Sequence, residues 1–419
     1  MKDSFRIMRW VVWGAAILFY FYEFIIRVMP SVMSKELMSS FHISATGFGL
    51  LAASYMYAYA PMQLPIGVLM DRYGAHRLLT VGALLCGFGS LLFGWAEHLF
   101  IAEVGRFLTG MGSSFGFIGF IYISNHWFPA TSAGRIMGFG NSLGLLGAIC
   151  GQGPVAHLVN GVGWRDTSYI IGIAGFIIAG VILLVIRNDP AGMTTHYSKV
   201  SFKTVMKHYK TVVLHPQTWV IAMVCGFLYF PVGTFAGLWC VPYLEFLYGV
   251  DNAYAGYAAS CIFVGWILGG PISGHFSDRY NNRKFFYIFG SFFVFLFFCI
   301  IVYFPPKSIY LMFALLFAIG LLAGASILTF RSVVALSPDK VKGSAITFIN
   351  FLAFVGASIC QPLVGWLIDY HWDGVMRAGV PIYAREDYTF AFTFFPAAML
   401  VSLFFSILLK EDPGKPIIG

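Results

Sequence analysis

Gly67-Val68-Leu69-Met70-Asp71-Arg72-Tyr73-Gly74-Ala75-His76-Arg77 closes one long apolar run. Gly274-His275-Phe276-Ser277-Asp278-Arg279-Tyr280-Asn281-Asn282-Arg283-Lys284 closes another, and the two aspartates stand 207 residues apart. A second echo is independent of the first. Asn141-x-Leu-x-x-x-Gly147-Ala recurs as Asn350-x-Leu-x-x-x-Gly356-Ala, at an offset of 209. Two echoes at nearly one offset describe a duplicated chain. Parallel repeats of six membrane helices place a substrate site near the bilayer midplane at the repeat interface.

Composition supports membrane helices. Of 419 residues, 59% are hydrophobic and 11% charged, against ~25% charged in soluble domains. So few charges cannot make a wholly water-facing surface. Apolar runs, each near the ~20 residues that span a bilayer, fall at about 10–33, 47–70, 78–96, 99–125, 133–157, 167–187, 217–242, 253–276, 285–304, 308–330, 343–368 and 389–409. They are apolar all round and too long for barrel strands. The predicted fold class is therefore an all-α membrane protein of twelve transmembrane helices in two pseudo-symmetric six-helix bundles. The first run carries Glu23 and Arg27 and exceeds a signal-peptide core, so it is expected to stay as the first helix.

The net charge of +8 reads as topology rather than nucleic-acid affinity. With the N-terminus inside, the inner loops and tails hold nineteen Lys and Arg, including Lys2, Lys199 and Lys415. The outer loops hold five, Lys35, Arg165, Lys307, Arg377 and Arg385. The positive-inside rule then predicts a multi-pass inner (cytoplasmic) membrane protein with both termini cytoplasmic. The basic excess also suits anionic lipid. The seven cysteines lie in apolar runs without a CxxC pair and read as small packed hydrophobes. Neither a metal-site spacing nor a nucleophile–base constellation stands out, so no cofactor and no enzyme activity are expected.

The expected domains are residues 1–187, an N-terminal bundle; 188–216, a cytoplasmic linker; and 217–419, a C-terminal bundle. Lys199, Lys203, Lys207 and Lys210 recur every three or four residues in the linker, which predicts one basic face of a helix.

Gly67-x-x-x-Asp71-Arg72-x-Gly74-x-x-Arg77 resembles the loop 2–3 signature of the major facilitator superfamily, and its weaker copy at 274–284 sits where that family has one. Arg106-Phe-Leu-Thr-Gly110-x-Gly112 resembles the family's helix 4 motif, and Gly163-Trp164-Arg165 an element before helix 6. The resemblance covers the whole chain. It implies alternating access, a monomer, and a gating set of Asp71, Arg72, Arg77, Asp278 and Arg279, with Asp71 as half of an ionic latch.

Tyr20, Glu23 and Arg27 share one face of the first helix. Each intramembrane charge costs at least ~2.5 kcal/mol on insertion scales, so such residues usually face a cavity or each other. Arg27 is the candidate for a substrate carboxylate. Glu23 is a proton carrier or a partner for a substrate ammonium, with Glu103 and Arg106 as further coupling candidates, Arg106 alternatively bracing the contact between helices 1 and 4. A self-neutralising Glu23–Arg27 pair, and a structural Glu103–Arg106 pair, are the plainer readings. Tyr20, Tyr55, Tyr59, Asn141, Tyr229, Trp239, Trp266 and Asn350 are candidate cavity walls, with helix packing as their alternative.

Arg27-Val-x-x-Ser31-Val32 and Trp127-Phe128-Pro129 resemble the organic-anion and sugar-acid symporters. Those carry a helix 4 glutamate where this chain has Ser113. Tyr22-Glu23-x-x-x-Arg27-Val28-x-Pro30-Ser31-Val32-Met33 also looks like amino-acid transporters of intracellular proteobacteria. The function implied is proton-driven symport of a small carboxylate-bearing nutrient, an amino acid or organic anion, with the proton gradient as energy source. The alternative is proton antiport exporting a drug or siderophore-like molecule. The glycine–proline pattern of drug antiporters is incomplete, with Ile149 four before Gly153. A transporter-like sensor without flux is a third reading.

Overall fold

The computed structural model describes residues 2–189, 202–377 and 380–410; Lys199 and Lys415 of the basic count lie outside them. The chain is nearly all helix. It opens with α1 (Lys2–Val28), a 3₁₀ segment Met29–Met33, α2 (Ser34–Phe41), α3 (Ala45–Met62) and α4 (Ile66–Trp95). Then come α5 (Leu99–Trp127), α6 (Ala130–Cys150), α7 (Gly153–Val162), α8 (Trp164–Val185) and α9 (Phe202–Val213). After α10 (Pro216–Phe230) a π-helical stretch, Pro231–Trp239, leads into α11 (Cys240–Tyr248) and α12 (Asn252–Tyr280). The last part holds α13 (Arg283–Tyr303), α14 (Ile309–Ala323), α15 (Leu328–Leu336), α16 (Lys342–His371), two short antiparallel strands, Met376–Arg377 and Val380–Pro381, then α17 (Arg385–Phe392) and α18 (Phe394–Leu408).

Among the described residues, eleven helical stretches are long and apolar enough to cross a membrane. The twelfth crossing is α3, which its three tyrosines make less apolar, continued by the start of α4. Gly74 breaks α4 at φ 76°, ψ 160°, a conformation open to glycine and strained for residues with a Cβ. The segment before it completes the second crossing, and the one after it is the third.

The chain divides into two compact units. One contains Met1–Met29 and Ser54–Phe202; the other contains Pro30–Ala53 and Lys203–Gly419. The first is held by glycine seams. Lipid supplies no hydrophobic drive between helices, so close backbone approach and dispersion must serve. On α4 and α5, a Cβ at Gly82 would stand 2.7 Å from the Gly112 carbonyl, and one at Gly89 would stand 2.6 Å from that of Gly105. These glycines sit two turns apart on each helix, as an antiparallel pair requires. Gly144 and Gly147 of α6, with Gly151 just after it, seat on Tyr20, Phe21 and Ile25 of α1.

One seam repeats in the second unit. Gly110 presses on the Tyr55 carbonyl, and Gly320 presses on the Ile262 carbonyl. The partners lie 207 and 210 residues on, so the duplication seen in sequence extends to packing. Gly110→Ala puts a methyl against backbone that cannot move aside. Its expected cost is about 1–3 kcal/mol by overpacking, read as a lowered unfolding temperature of the solubilised protein. Gly134→Ala, which meets nothing within 4 Å inside α6, should leave that temperature unchanged or raise it slightly, alanine being the better helix former.

The second unit has a phenylalanine core. Phe235 lies against Phe298 at 5.3 Å and Phe395 at 5.1 Å between centroids, and Phe298 stacks on Phe395 at 5.2 Å. Pro231 has no N–H to give a helix. In the π-helical stretch that follows, Gln361 Nε2 donates to the Gly233 carbonyl at 3.1 Å.

Candidate functional site: a buried charge cluster in the first unit

The first-helix charges lie inside the first unit. Glu23 is fully buried and Arg27 nearly so. One nitrogen of Arg27, Nη2, donates to both Glu23 oxygens at 3.1 Å. Its Nε donates to Tyr55 Oη at 3.3 Å, and that hydroxyl donates to Glu23 Oε2 at 3.4 Å. The guanidinium carbon lies 4.4 Å from the Phe24 ring centroid and 4.5 Å from that of Tyr59. Aromatic faces stabilise a desolvated cation that water cannot reach.

Glu23 has room because α5 is small beside it. A Cβ on Gly116 would lie 3.3 Å from Glu23 Cγ. One turn earlier Ser113 is buried and engages Cys86 Sγ at 3.4 Å. The Glu23 carboxylate, carried by the first helix, faces this part of α5.

Arg106 braces α5 against the first helix. Its Nη1 donates to the Ile26 carbonyl at 2.7 Å and its Nη2 to the Arg27 carbonyl at 3.4 Å. An α-helix would satisfy Ile26 from residue 30, which is proline and has no N–H. Arg106 therefore ties α5 to the place where α1 gives way to the 3₁₀ segment, one turn from the Glu23–Arg27 pair. Its guanidinium also faces the Tyr55 ring at 5.0 Å, and its Nε has no hydrogen-bond partner among the described residues. It makes no ion pair with Glu103, which is half-buried beside Tyr57.

Arg106→Leu leaves the Ile26 carbonyl without its charge-assisted donor. The expected loss is about 2–4 kcal/mol, again read as an unfolding temperature. Arg106→Lys should recover only part of it, because one ammonium replaces a planar fork.

The remaining candidates separate. Tyr20 donates to Asn141 Oδ1 at 3.0 Å and stacks on Phe120, in the same unit as the cluster. Tyr229 packs near Trp266 and Phe354 in the second unit, and Trp266 Nε1 donates to Ser326. Trp239 donates to the Gln361 carbonyl and meets the edge of Phe48. Asn350 is half-buried.

Of the gating set, Asp71, Arg72 and Arg77 are exposed and make no ion pair among the described residues. Asp278 does pair, but with Arg331 of α15, at 2.7 and 2.5 Å to its two oxygens, rather than with Arg279. Nothing in the motif marked Arg331, which lies 53 residues from Asp278 in sequence. Asn188 docks beside Gly74 and accepts from the His76 amide at 2.8 Å.

Residues 12–247 and 239–418 match the family model of the Major Facilitator Superfamily. A probable sulfoacetate transporter of Cupriavidus necator, SauU, is 29% identical over 172 residues, covering 41% of this chain and 40% of that protein. The membrane sensor protein UhpC of Salmonella typhimurium is 23% identical over 384 residues, covering 87% and 85%. The chain spans two-fifths or less of the length of the first curated relatives it matches. Among solved structures, a bacterial homolog of the human lysosomal transporter Spinster superposes with a TM-score of 0.76 at 16% identity, over 96% of this chain and 97% of that one.

Proposed function

We propose that this chain, which belongs to the Major Facilitator Superfamily, is a secondary transporter that takes up a small carboxylate-bearing nutrient together with a proton. The observation that carries the reading is the neutral Glu23–Arg27 pair, buried and bridged by Tyr55. A substrate carboxylate that engages Arg27 displaces Glu23 from Nη2. Arg106 is held on the Ile26 and Arg27 carbonyls, so two carboxylates compete for the Arg27 guanidinium and repel each other at close range. A proton on Glu23 removes that repulsion. Substrate and proton then bind as one unit, which is what symport requires.

The cluster suits an organic anion, as the name of SauU says of that protein. An amino acid would fit differently, with its ammonium on Glu23 and its carboxylate on Arg27, and would need no proton there. Topology follows the positive-inside count, with the protein in the cytoplasmic membrane and both termini inside. The long match to UhpC favours a second reading, in which the same cluster senses its ligand without moving it.

Reconstitution in liposomes separates these. With an inward pH gradient, organic acids, sulfonates and amino acids are added while internal pH is followed. Substrate-dependent acidification is expected with organic anions. Binding without flux would support the sensor. Dye extrusion, with no response across the panel, would sink the uptake reading in favour of antiport.

A further inference from the structure

The segment Pro30–Ala53 belongs, by its contacts, to the second unit, although in sequence it joins the first two crossings. Its attachment centres on one carboxylate. Asp369, near the end of α16, accepts at Oδ2 from Ser44 Oγ at 2.6 Å, from the Thr46 amide at 2.8 Å and from Thr46 Oγ1. At Oδ1 it accepts from the Ala45 amide at 3.2 Å and from Tyr383 Oη at 2.5 Å. Five donors from two chain segments therefore meet one side chain.

Two of those donors are N–H groups at the start of α3, where the helix dipole favours an anion; the Ala45 amide also donates to Tyr383 Oη at 2.8 Å. Ser44 directs its hydroxyl to Asp369, so the α16 carboxylate caps α3 from another helix. The backbones are close as well. Gly365 seats on the Ala45 carbonyl, and a Cβ at Gly49 would stand 2.7 Å from the Gln361 carbonyl. Secondary ties flank the cap. Lys35 pairs with Glu245 at 3.1 Å, and Asn252 Nδ2 donates to the Val32 carbonyl at 2.9 Å. The segment begins at Pro30, where α1 has already broken.

We infer that Asp369 is a charge-dependent latch holding the loop between the first two crossings onto the second unit. Its ionised form is the one that accepts all five donors. Protonation places a hydrogen on one oxygen, which then presents a donor to the N–H and O–H groups already aimed at it. The bonds at that oxygen are lost and the start of α3 is released. With the topology proposed above, the latch lies on the outer side, and protons from outside loosen it ahead of substrate entry. The inference rests on the uptake reading for that direction only.

The groups facing Asp369 give the acid response its sign. Tyr383 stays a donor, because burial pushes its phenol well above the usual range and the Asp369 carboxylate adds to this. Ser44 and Thr46 do not titrate. His42 is exposed on the turn before α3, and Tyr370 is exposed on α16 itself. His371 pairs with Asp387 of α17 at 2.7 Å. Tyr388 faces Tyr383 at 6.3 Å. The other carboxylate ties here are Lys35–Glu245 and that of Asp387, which accepts from the Ala384 amide at 2.8 Å.

The test needs no transport. Spin labels at the exposed Ser39 and Glu386, in a cysteine-free full-length background, report the separation of α2 from α17. The expected wild-type result is one short distance at about pH 7.5 and a growing longer population as the pH is lowered. Asp369→Asn should show the longer population at both, with the closed-to-open ratio reduced about tenfold or more, the equivalent of one lost charge-assisted bond. Should that variant misfold, Ser44→Ala/Thr46→Val removes hydroxyl donors without touching the carboxylate and should move the acid transition upward. Glu245→Gln should keep the acid response, and so should Glu23→Gln, whose loss of coupling is a failure of a different site. An unchanged wild-type distance across the pH range, or an acid response that survives in Asp369→Asn, overturns the latch.

Discussion

Arg27→Lys is expected to weaken binding of a carboxylate substrate by about ten- to a hundredfold while the protein stays folded. The charge remains, so Glu23 keeps a counter-ion and the severe cost of an unpaired buried carboxylate, about 3–5 kcal/mol, is avoided. What is lost is geometry. In the native protein one planar group reaches Tyr55 through Nε and Glu23 through Nη2, while its faces rest near Phe24 and Tyr59. A lysine ammonium is a point charge with no planar face. It can neither span both partners with the same register nor stack. Losing one charge-assisted bond of about 1.5–3 kcal/mol corresponds to the stated affinity range. Calorimetric titration of the solubilised protein with the substrate found in the liposome panel checks it. An affinity within twofold of wild type would remove Arg27 from the substrate site.

Glu23→Gln is expected to abolish proton-driven accumulation and to spare substrate exchange. Glutamine keeps the size of the side chain and one acceptor oxygen for Arg27, but it cannot gain or lose a proton. Arg27 then carries its charge unopposed until a carboxylate arrives, so binding should hold or tighten as coupling fails. Accumulation under a pH gradient should fall to the level set by equilibration, and counterflow of labelled substrate should persist. If full accumulation is retained, the proton travels elsewhere. If exchange is also lost, Glu23 contacts the substrate, as the amino-acid arrangement requires.

The two results separate roles that sit four residues apart on one helix. Pair formation by itself says little, since an i,i+4 ion pair is the simplest way to carry two charges through a membrane. The surroundings argue for more. A pair serving only to neutralise itself needs neither a tyrosine bridge from α3 nor an arginine from α5 at the adjoining helix end.

The scaffold was legible in the sequence because membrane helices are written in hydropathy. The lengths of the apolar runs, the glycines of the turns and the offset near 207–209 all report local physics, as does the spacing that puts Tyr20, Glu23 and Arg27 on one face. The twelve crossings follow from those features, and so does the absence of a charged counterpart in the second half. Where Glu23 and Arg27 stand in the first repeat, the second carries Pro231 and Phe235 in a neutral π-helical stretch.

Tertiary structure decided who meets whom. Arg106 could have paired with Glu103 three residues away; its reach to the Ile26 and Arg27 carbonyls depends on how α5 crosses a helix broken at Pro30. Asp278 could have paired with its neighbour Arg279, and the fold turned it to Arg331. Asp369 carries no motif and reads in sequence as one acid near the end of a run. Its five donors come from stretches more than three hundred residues away and from a loop fourteen residues on. Periodicity records which face of a helix a residue occupies. Partner choice depends on crossing angle and depth between helices far apart in the chain, and no single stretch of sequence encodes that.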